Sequence, residues 1–302
     1  MKIPVVLGPT AVGKSGFALE VAEKIQGEIV SCDSRQVYRF MDIGTAKPSL
    51  QEQKRVPHHL LDCVDPSHEY SAVQWAEAAQ QALDDICSRG RIPVICGGSF
   101  FYYQVLAEGG RGMSQKNETF RRECHAREQQ SPGVLYADLQ REDPRRAENI
   151  HPHDIYRTIR ALEARYYPAD RVNESVGGDH EFVPLVLTRP RAELYERINT
   201  RVVMMKFHGL IEEFSALLAQ GYGESTPGLK SVGYKELFNY IHGKCSLDDA
   251  LSTIQRNTRR YAKRQLTWIR NKLSSNYVFR ADQTCSMEET VLRLVHGKYE
   301  KE

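Results

Sequence analysis

The chain has 302 residues, of which 41% are hydrophobic and 26% are charged. This composition is typical of a folded globular protein of about two domains, and it excludes a wholly disordered chain. No apolar run reaches the ~18 residues that a membrane-spanning helix needs. The N-terminus also lacks the basic segment and the small-residue cleavage site of a secretory signal. The sequence therefore predicts a cytoplasmic protein with no membrane segment, and we expect a monomer.

The cysteines and the charges narrow the class further. The 7 cysteines are scattered and form no C-x-x-C pair, so neither a disulfide framework nor a structural zinc site is expected. The formal net charge is only +2. Residues 250–275, however, hold five Arg, two Lys and no Asp or Glu. Such a local basic stripe can bind a polyanion although the whole chain is nearly neutral.

Three short apolar runs in the first third of the chain predict buried strands. They are Ile3–Leu7, Glu28–Cys32 and Ile92–Cys96, and helical patterns separate them. One of these helices opens with Ser71 and Gln74, which form a capping-box pattern. Strands that alternate with helices are typical of a parallel sheet covered by helices.

The pattern changes near residue 114, where polar and helix-prone sequence without strand signals begins. A strand pattern returns at Phe182–Leu187, and helical patterns fill residues 207–275. The interpretation with the fewest assumptions is an α/β core, residues 1–113 and 181–302, that is interrupted by a helical insertion at 114–180.

Residues 8–15 fit the pattern G-x-x-x-x-G-K-[ST] and lie between a predicted strand and a predicted helix. In this pattern the glycine backbone lets amides turn around phosphate oxygens, and the helix N-terminus adds positive potential. Lys14 supplies a formal charge, and the Ser15 hydroxyl can ligate Mg²⁺. The predicted phosphate-binding residues are Gly8, Pro9, Thr10, Ala11, Val12, Gly13, Lys14 and Ser15.

Two polar residues follow the other predicted strands at the edge where ligands of open parallel sheets bind. Asp33 comes directly after the second strand, and Ser99 follows Gly97 and Gly98 at the end of the third. Asp33 beside a bound phosphate could act as a general base or a metal ligand, or it could cap the following turn. Ser99 could be a helix N-cap and could also contact a ligand.

Two basic segments are candidates for an anionic partner. Arg157 and Arg160 share one face of a predicted helix and could equally be exposed, salt-bridged residues. In residues 257–270, basic residues that include Lys263 and Arg264 are interleaved with aromatic ones, of which we expect Trp268 to belong to the core. The lack of any acid in that segment favours an anionic partner, because a merely solvated helix normally mixes charges of both signs.

Taken together, these segments resemble the bacterial tRNA dimethylallyltransferases (isopentenyl-tRNA transferases). The matching segments follow the order of that family and cover most of the chain, apart from residues 118–148. They are GPTAVGKS at 8–15, DSRQVY at 33–38, MDIGTAKP at 41–48, PHHLLD at 57–62, GRIPVICGGS at 90–99, HPHDIYRTIRALE at 151–163, VGYKE at 232–236 and AKRQLTWIR at 262–270.

The resemblance implies a P-loop NTPase-like fold and transfer of the dimethylallyl group of dimethylallyl diphosphate to N6 of the adenine just 3′ of a tRNA anticodon. It implies that the loop at 8–15, together with Mg²⁺, holds the diphosphate of the isoprenoid rather than ATP. It further implies that Asp33 takes the N6 proton and that Ser99 and Arg121 act at the reacting groups, with the adjacent Arg122 as the alternative to Arg121. The residues expected to bind the anticodon stem-loop are Asp33, Ser34, Arg35, Gln36, Arg157, Arg160, Lys263 and Arg264.

Two alternatives remain open. A small-molecule or nucleotide kinase has the same phosphate loop, an Asp after the second strand and an arginine-bearing lid, although here the third strand ends in Gly-Gly-Ser rather than in a second acidic Mg²⁺ ligand. A non-catalytic RNA-binding protein would not need Lys14, Ser15 and Asp33 together. The segment from Ser99 to Tyr102 departs from the family's usual Thr-Gly-Leu-Tyr after the paired glycines, so we expect the bulkier Phe100 to alter either the isoprenoid pocket or the turn around Ser99.

Overall fold

The computed structural model describes residues 1–109, 117–168, 178, 180–273, 277–282 and 284–296. Its backbone contacts divide the chain into two units, one formed by Met1–Ala107 with Gly177–Glu302 and the other by Glu108–Val176. The start predicted for the insertion, residue 114, lies outside the described residues. None of the described helices is both long and apolar enough to cross a membrane.

The first unit contains a parallel sheet, which among the described residues has six strands in the order β3-β2-β4-β1-β5-β6. The sheet explains why four of its strands were recognisable from the sequence, because strands covered on both faces are continuous apolar runs rather than alternating ones. The strands are β1 (Lys2–Leu7), β2 (Glu28–Cys32), β3 (His58–His59), β4 (Pro93–Gly97), β5 (Glu181–Thr188) and β6 (Tyr277–Arg280).

Helices cover the sheet of the first unit and make up the second unit. The helices in chain order are α1 (Lys14–Lys24), α2 (Leu50–Arg55), α3 (Ala72–Ser88), α4 (Phe100–Glu108), α5 (Glu118–Gln130), α6 (Val134–Glu142), α7 (Pro144–Ala147), α8 (Ile155–Tyr166), α9 (Arg191–Phe207), α10 (Leu210–Ala219), α11 (Leu237–Ile241), α12 (Leu247–Lys272) and α13 (Thr284–His296). Together with the parallel sheet, they confirm the predicted α/β class.

Helix α3 shows how local sequence and packing combine to position an element on the sheet. The predicted capping box is present, since Ser71 Oγ accepts the Gln74 N–H at 3.2 Å and Gln74 Oε1 accepts the Ser71 N–H at 2.9 Å. One turn further on, the fully buried Trp75 donates its indole N–H to the carbonyl of Ser31 at 3.0 Å. The cap thus starts α3, and the indole attaches it to β2.

The second unit has a small apolar core and a buried ion cluster. Cys124, Leu139 and Leu162 are among the apolar residues that pack between its helices. At their edge lies Glu163, whose side chain is fully buried. Its Oε1 accepts the Asn117 N–H at 2.7 Å, and Arg121 binds both of its oxygens at 2.9 Å.

Arg160 binds the same carboxylate, so two guanidinium groups share Glu163. Burial alone would raise the pKa of Glu163, but the hydrogen bonds from Arg121, Asn117 and Arg160 outweigh burial and lower it from 4.5 to about 2. The carboxylate therefore remains ionised in the folded unit and connects α5 to α8.

Replacing this carboxylate should destabilise the second unit. Glu163→Gln leaves two mostly buried guanidinium groups without a counter-charge, and we expect the free energy of opening of α5 and α8 to fall by about 3 kcal/mol. Because the folded pKa lies below the ordinary one, this stabilisation is present above pH ~4.5 and is lost as the pH falls towards ~2. Hydrogen exchange of the α5 and α8 amides measures both effects.

The matched control is Asp138→Asn in the same unit. Asp138 pairs with Arg127 and Arg141, whose side chains are 51% and 69% exposed, so its loss should cost less than about 1 kcal/mol. Equal losses in both variants, or a Glu163→Gln effect that stays constant down to pH ~2, would contradict the role given to the buried cluster.

Candidate functional site

The carboxyl ends of three neighbouring strands are brought together at Gly97. This residue is in register with Leu7 at the end of β1 and with Cys32 at the end of β2. A Cβ atom on Gly97 would lie 1.9 Å from the Cys32 carbonyl oxygen, so only glycine fits there. The segments that follow β1, β2 and β4 therefore begin side by side, as the sequence predicts for the phosphate loop, Asp33 and the Gly-Gly turn.

The phosphate loop joins β1 to α1 in the predicted way. A side chain at Gly8 would lie 2.5 Å from the carbonyl oxygen of Leu187 in β5. Gly13 has a φ of 114° and serves as the N-cap of α1, a conformation that favours glycine. The backbone geometry therefore requires glycine at both positions of the pattern. The loop also leads into the N-terminus of a helix, where backbone N–H groups attract anions.

Within the part of the chain that the structure describes, Lys14 has no acidic partner at hydrogen-bond distance. Its Nζ donates to the carbonyl of Pro9 at 2.8 Å. Burial lowers the pKa of Lys14 to about 8, and the Arg201 cation acts in the same direction against the opposing effects of Cys96 and Asp33. An anion placed here would compensate the cost of keeping this ammonium charged.

The loop forms one wall of a cleft of about 760 Å³, the first cavity. Two arginines on α9 face it from the other side: Arg197 Nε donates to Ala11 O at 2.8 Å, and Arg201 Nη1 lies 3.3 Å from Thr10 Oγ1. Burial, followed by the neighbouring Arg197 cation, lowers the pKa of Arg201. Lys14, Arg197 and Arg201 thus place three cations around the phosphate loop, which suits a polyphosphate ligand. Asp33, Glu52 and Glu196 bring carboxylates to the same cavity.

Neither arginine is among the site residues that the sequence predicts. Arg197 and Arg201 are four residues apart, so they share one face of the helix that follows β5. This spacing indicates a site only when β5 is known to pair with β1, as the register of Val6 with Leu185 shows. That pairing starts α9 at the same edge of the sheet as the phosphate loop.

Gln265 connects three elements at the base of the first cavity and was also missed as a site residue. It is 4% exposed. Its Oε1 accepts the Thr10 N–H at 2.9 Å, and its Nε2 donates to the Gly98 carbonyl at 2.9 Å. One amide on α12 thereby holds the phosphate loop against the turn after β4.

Asp33 lies where the first cavity adjoins a second cavity of about 320 Å³, and it lines both. Its Oδ1 accepts the N–H groups of Arg35 at 2.8 Å and Gln36 at 3.3 Å, so the turn-capping interpretation holds. Among the described residues, no hydrogen-bonding partner of Oδ2 is present. One oxygen thus shapes the turn while the other is available to a ligand.

The second cavity is lined by residues from several segments, and many of them are basic. Ser34 and Arg35, two of the predicted RNA-binding residues, lie on one side, and Arg264 of α12 lies on another. The cavity also includes the segment 230–235, to which Lys230, Ser231, Val232, Gly233 and Lys235 contribute. The predicted RNA-binding residue Lys263 is exposed but is not among the described residues that line the cavity.

Three predicted site residues have internal partners in the first unit. Ser99 Oγ accepts the Ser34 N–H at 2.9 Å and so ties the end of β4 to the end of β2. The Gln36 amide accepts from Ser31 Oγ at 3.1 Å and donates to Ala46 O at 3.0 Å. Phe100 is buried and stacks on Trp268 with ring centroids 5.0 Å apart. Neither Ser99 nor Phe100 is among the described lining residues of the two cavities.

The remaining predicted residues belong to the second unit. Arg121 and Arg160 are engaged with Glu163, as described above. Arg157 has a side chain that is 70% exposed and lies 3.5 Å from Asp154. Of these three arginines it is the most accessible to an external anion.

The donor set of the first cavity fits a magnesium ion that is shared with a phosphate ligand. Ser15, Asp33, Glu52 and Glu196 line that cavity. Nowhere in the described ranges do three His, Cys, Asp or Glu residues cluster in a way that could hold a metal alone. Mg²⁺ commonly binds through few protein oxygens together with substrate phosphates and water, and this arrangement is of that kind.

The parallel sheet, the loop at its edge and the cavity beside that loop define a P-loop-like α/β protein. A family model described as IPP transferase matches residues 36–272, which is most of the chain. The tRNA dimethylallyltransferase of Thermotoga petrophila is 44% identical over 273 residues, covering 89% of this chain and 90% of that protein. The chain therefore belongs to the tRNA dimethylallyltransferase family and is a transferase.

Solved structures agree in fold. The tRNA isopentenylpyrophosphate transferase of Bacillus halodurans is 35% identical, with a TM-score of 0.72 over 98% of this chain and 97% of that one. A eukaryotic dimethylallyltransferase, crystallised acting on tRNA, is 27% identical, with a TM-score of 0.83 over 100% of this chain and 81% of that one. These matches favour the predicted family over the kinase and the non-catalytic alternatives.

The lowered pKa of Lys14 predicts proton uptake when an anion binds. In the free protein Lys14 is largely neutral at a pH of about 9, and a bound inorganic diphosphate should return its pKa towards the ordinary value, so that Lys14 gains close to one proton. At a pH of about 7 it is already charged, and the uptake should be small. Titration calorimetry in two buffers of different ionisation enthalpy measures the number of protons.

Lys14→Met is the control, because it reports the protons that diphosphate itself exchanges. The difference between the two proteins should grow from a pH of about 7 to about 9. A difference that stays near zero at both pH values would contradict the position of Lys14 at the anion site.

Proposed function

We propose that this protein transfers the dimethylallyl group of dimethylallyl diphosphate to N6 of the adenine just 3′ of a tRNA anticodon and releases diphosphate. The observation that carries the proposal is the position of Asp33. It lines both the first cavity, beside the phosphate loop, and the second, basic cavity. A carboxylate between a site for a leaving group and a site for a nucleophile suits a transfer reaction.

In this proposal the diphosphate binds in the first cavity. Lys14, Arg197 and Arg201 supply cations, and the N-terminus of α1 supplies backbone N–H groups. The charge that develops on the bridging oxygen as the allylic C–O bond breaks would be stabilised by these groups. Ser15 would hold Mg²⁺ together with phosphate oxygens, and that ion would neutralise further negative charge.

The adenine would enter the second cavity, after leaving its stack in the anticodon loop. Its N6 forms a bond to the allylic carbon, the bond from that carbon to the diphosphate oxygen breaks, and Asp33 accepts the N6 proton. The Arg35 and Gln36 N–H groups hold Asp33 Oδ1, so the carboxylate does not have to be ordered at the moment of reaction.

RNA phosphates would be bound by basic residues around the second cavity. Ser34, Arg35 and Arg264 line it, and Lys263 adds an exposed cation on the same helix as Arg264. We include Arg157 and Arg160 of the second unit, as the family resemblance implies; the side chain of Arg157 is 70% exposed and that of Arg160 is 25% exposed. Such contacts position the loop, while contacts with base edges select it.

The role of Asp33 as the proton acceptor can be tested with Asp33→Asn. The amide oxygen of Asn can still accept the Arg35 and Gln36 N–H groups, so the turn is retained. Without a base, kcat for prenyl transfer to an anticodon stem-loop should fall by about 10²- to 10⁴-fold. The affinity for the stem-loop should change by no more than about threefold, because neutralising a carboxylate removes no attraction to the RNA phosphates.

Asp33→Ala separates the two roles of this side chain, since it removes the base and also the acceptor that shapes the turn. It should lose activity and, unlike Asp33→Asn, should weaken stem-loop binding through the neighbouring Ser34 and Arg35. Turnover by Asp33→Asn within a few-fold of the unaltered protein would show that the proton goes elsewhere.

A further inference from the structure

One carboxylate on α10 gathers four hydrogen bonds from two segments of the first unit. Glu213 Oε2 accepts the N–H groups of Asp42 and Ile43, both at 2.7 Å. Its Oε1 accepts the Gly44 N–H at 3.0 Å and the Tyr234 hydroxyl at 2.6 Å. Charge-assisted hydrogen bonds of this kind are stronger than neutral ones.

The two segments that Glu213 joins both line the second cavity. Gly44 and Thr45 follow β2, and Gly233 lies in the 230–235 segment. They also pack directly on each other, because a Cβ atom on Gly44 would lie 2.4 Å from the ring of Tyr234. Tyr234 is completely buried, so its ring and its hydroxyl set the spacing between the two segments.

We propose that Glu213 and Tyr234 form a brace that fixes the width of the second cavity and thereby controls binding of the RNA base. They are positioning residues, since neither is among the described residues that line that cavity. The proposal rests on the proposed function in one respect, namely that the second cavity receives the target adenine.

One side of the cavity is anchored independently of the brace. The Gly233 N–H donates to Glu236 Oε2 at 2.8 Å, and Asn257 of α12 donates to Glu236 Oε1 at 2.7 Å. The 230–235 segment is thereby attached to the long helix α12. Loss of the brace should therefore displace Ile43 and Gly44 rather than the 230–235 segment, since Asp42 is also paired with the buried Lys47.

The neighbouring residues of the first cavity are also held by other contacts. The Gln36 amide donates to Ala46 O at 3.0 Å. Lys47, whose side chain is 3% exposed, donates to Tyr38 O at 2.9 Å and pairs with Asp42 and Asp62. Residues 45–47 should thus stay in place without Glu213, and binding of the diphosphate group should be preserved.

The test compares Glu213→Gln and Tyr234→Phe with the unaltered protein in steady-state prenyl transfer. In Glu213→Gln an amide N–H₂ must face a backbone N–H or the tyrosine hydroxyl, and Tyr234→Phe removes only the 2.6 Å hydrogen bond. We expect the KM for the anticodon stem-loop to rise by about tenfold or more in Glu213→Gln and by less in Tyr234→Phe. The KM for dimethylallyl diphosphate and the Kd of inorganic diphosphate should stay within about twofold.

Two control variants report general destabilisation. Glu212→Gln removes a carboxylate from the adjacent, exposed position of α10. Tyr222→Phe removes a tyrosine–carboxylate hydrogen bond of similar length, 2.7 Å to Asp65, from outside both cavities. Both controls should leave the KM for the stem-loop unchanged, whatever their effect on the melting temperature.

Gly44→Ala offers a second route to the same defect, because the new methyl group would push Tyr234 away. If Glu213→Gln does not fold, Gly44→Ala still tests the brace, because this variant is expected to raise the KM for the stem-loop as Glu213→Gln would. An unchanged stem-loop KM in the folded brace variants, an equal rise in both KM values, or a rise of the same size in the controls would overturn the brace.

If the proposed function is wrong, the unaltered protein shows no prenyl transfer. The brace is tested differently, by comparing the variants with one another. If no prenyl transfer occurs, fluorescence anisotropy of a labelled stem-loop decides the brace: weaker binding by Glu213→Gln and Tyr234→Phe than by the two controls supports it, and equal binding by all four contradicts it.

Discussion

The close approach of β2 and β4 at Gly97 is the constraint on which the rest of the site depends. With the Cys32 carbonyl against it, Gly97 has no room for a side chain. This contact aligns the ends of β1, β2 and β4, so that the phosphate loop, Asp33 and the Gly-Gly turn start from one edge. A displacement of any of these strands by one residue would move each of its side chains to the opposite face of the sheet.

Helices α9 and α12 supply the residues that complete the anion cavity at the edge of the sheet. Because β5 pairs with β1, α9 carries Arg197 and Arg201 to the phosphate loop. Helix α12 reaches the same place from the C-terminal part of the chain, and Gln265 connects the loop to Gly98. The cavity for the anion is thus enclosed by elements that are distant in sequence, whereas the loop itself is local.

This contrast between a local loop and elements that are distant in sequence explains how much of the site could be predicted from the sequence. The buried strands and the phosphate loop were predictable, because continuous apolar runs and the spacing of Gly8, Gly13 and Lys14 are local signals. The two-residue strand β3 and the edge strand β6, in which half-buried and exposed residues alternate, carry too little apolar pattern to be recognised.

Functional residues that act across the fold were missed for a similar reason. Arg197 and Arg201 reach the phosphate loop only because β5 pairs with β1, and Gln265 reaches it only because of the way α12 packs. Glu213 is an ordinary helix glutamate in the sequence, and its four hydrogen-bond donors come from residues 42–44 and 234. Asp33, by contrast, was identified from its place after a strand, although its position between two cavities could not be anticipated.

The most direct test of the central claim is the release of diphosphate from dimethylallyl diphosphate in the presence of Mg²⁺, with and without an unmodified anticodon stem-loop that carries an adenine just 3′ of the anticodon. The claim that one cavity holds the leaving group and the other the adenine predicts release only when both substrates are present. ATP with the same RNA serves as the comparison and should not be consumed. Consumption of ATP without any release from the isoprenoid would contradict the claim and favour a kinase.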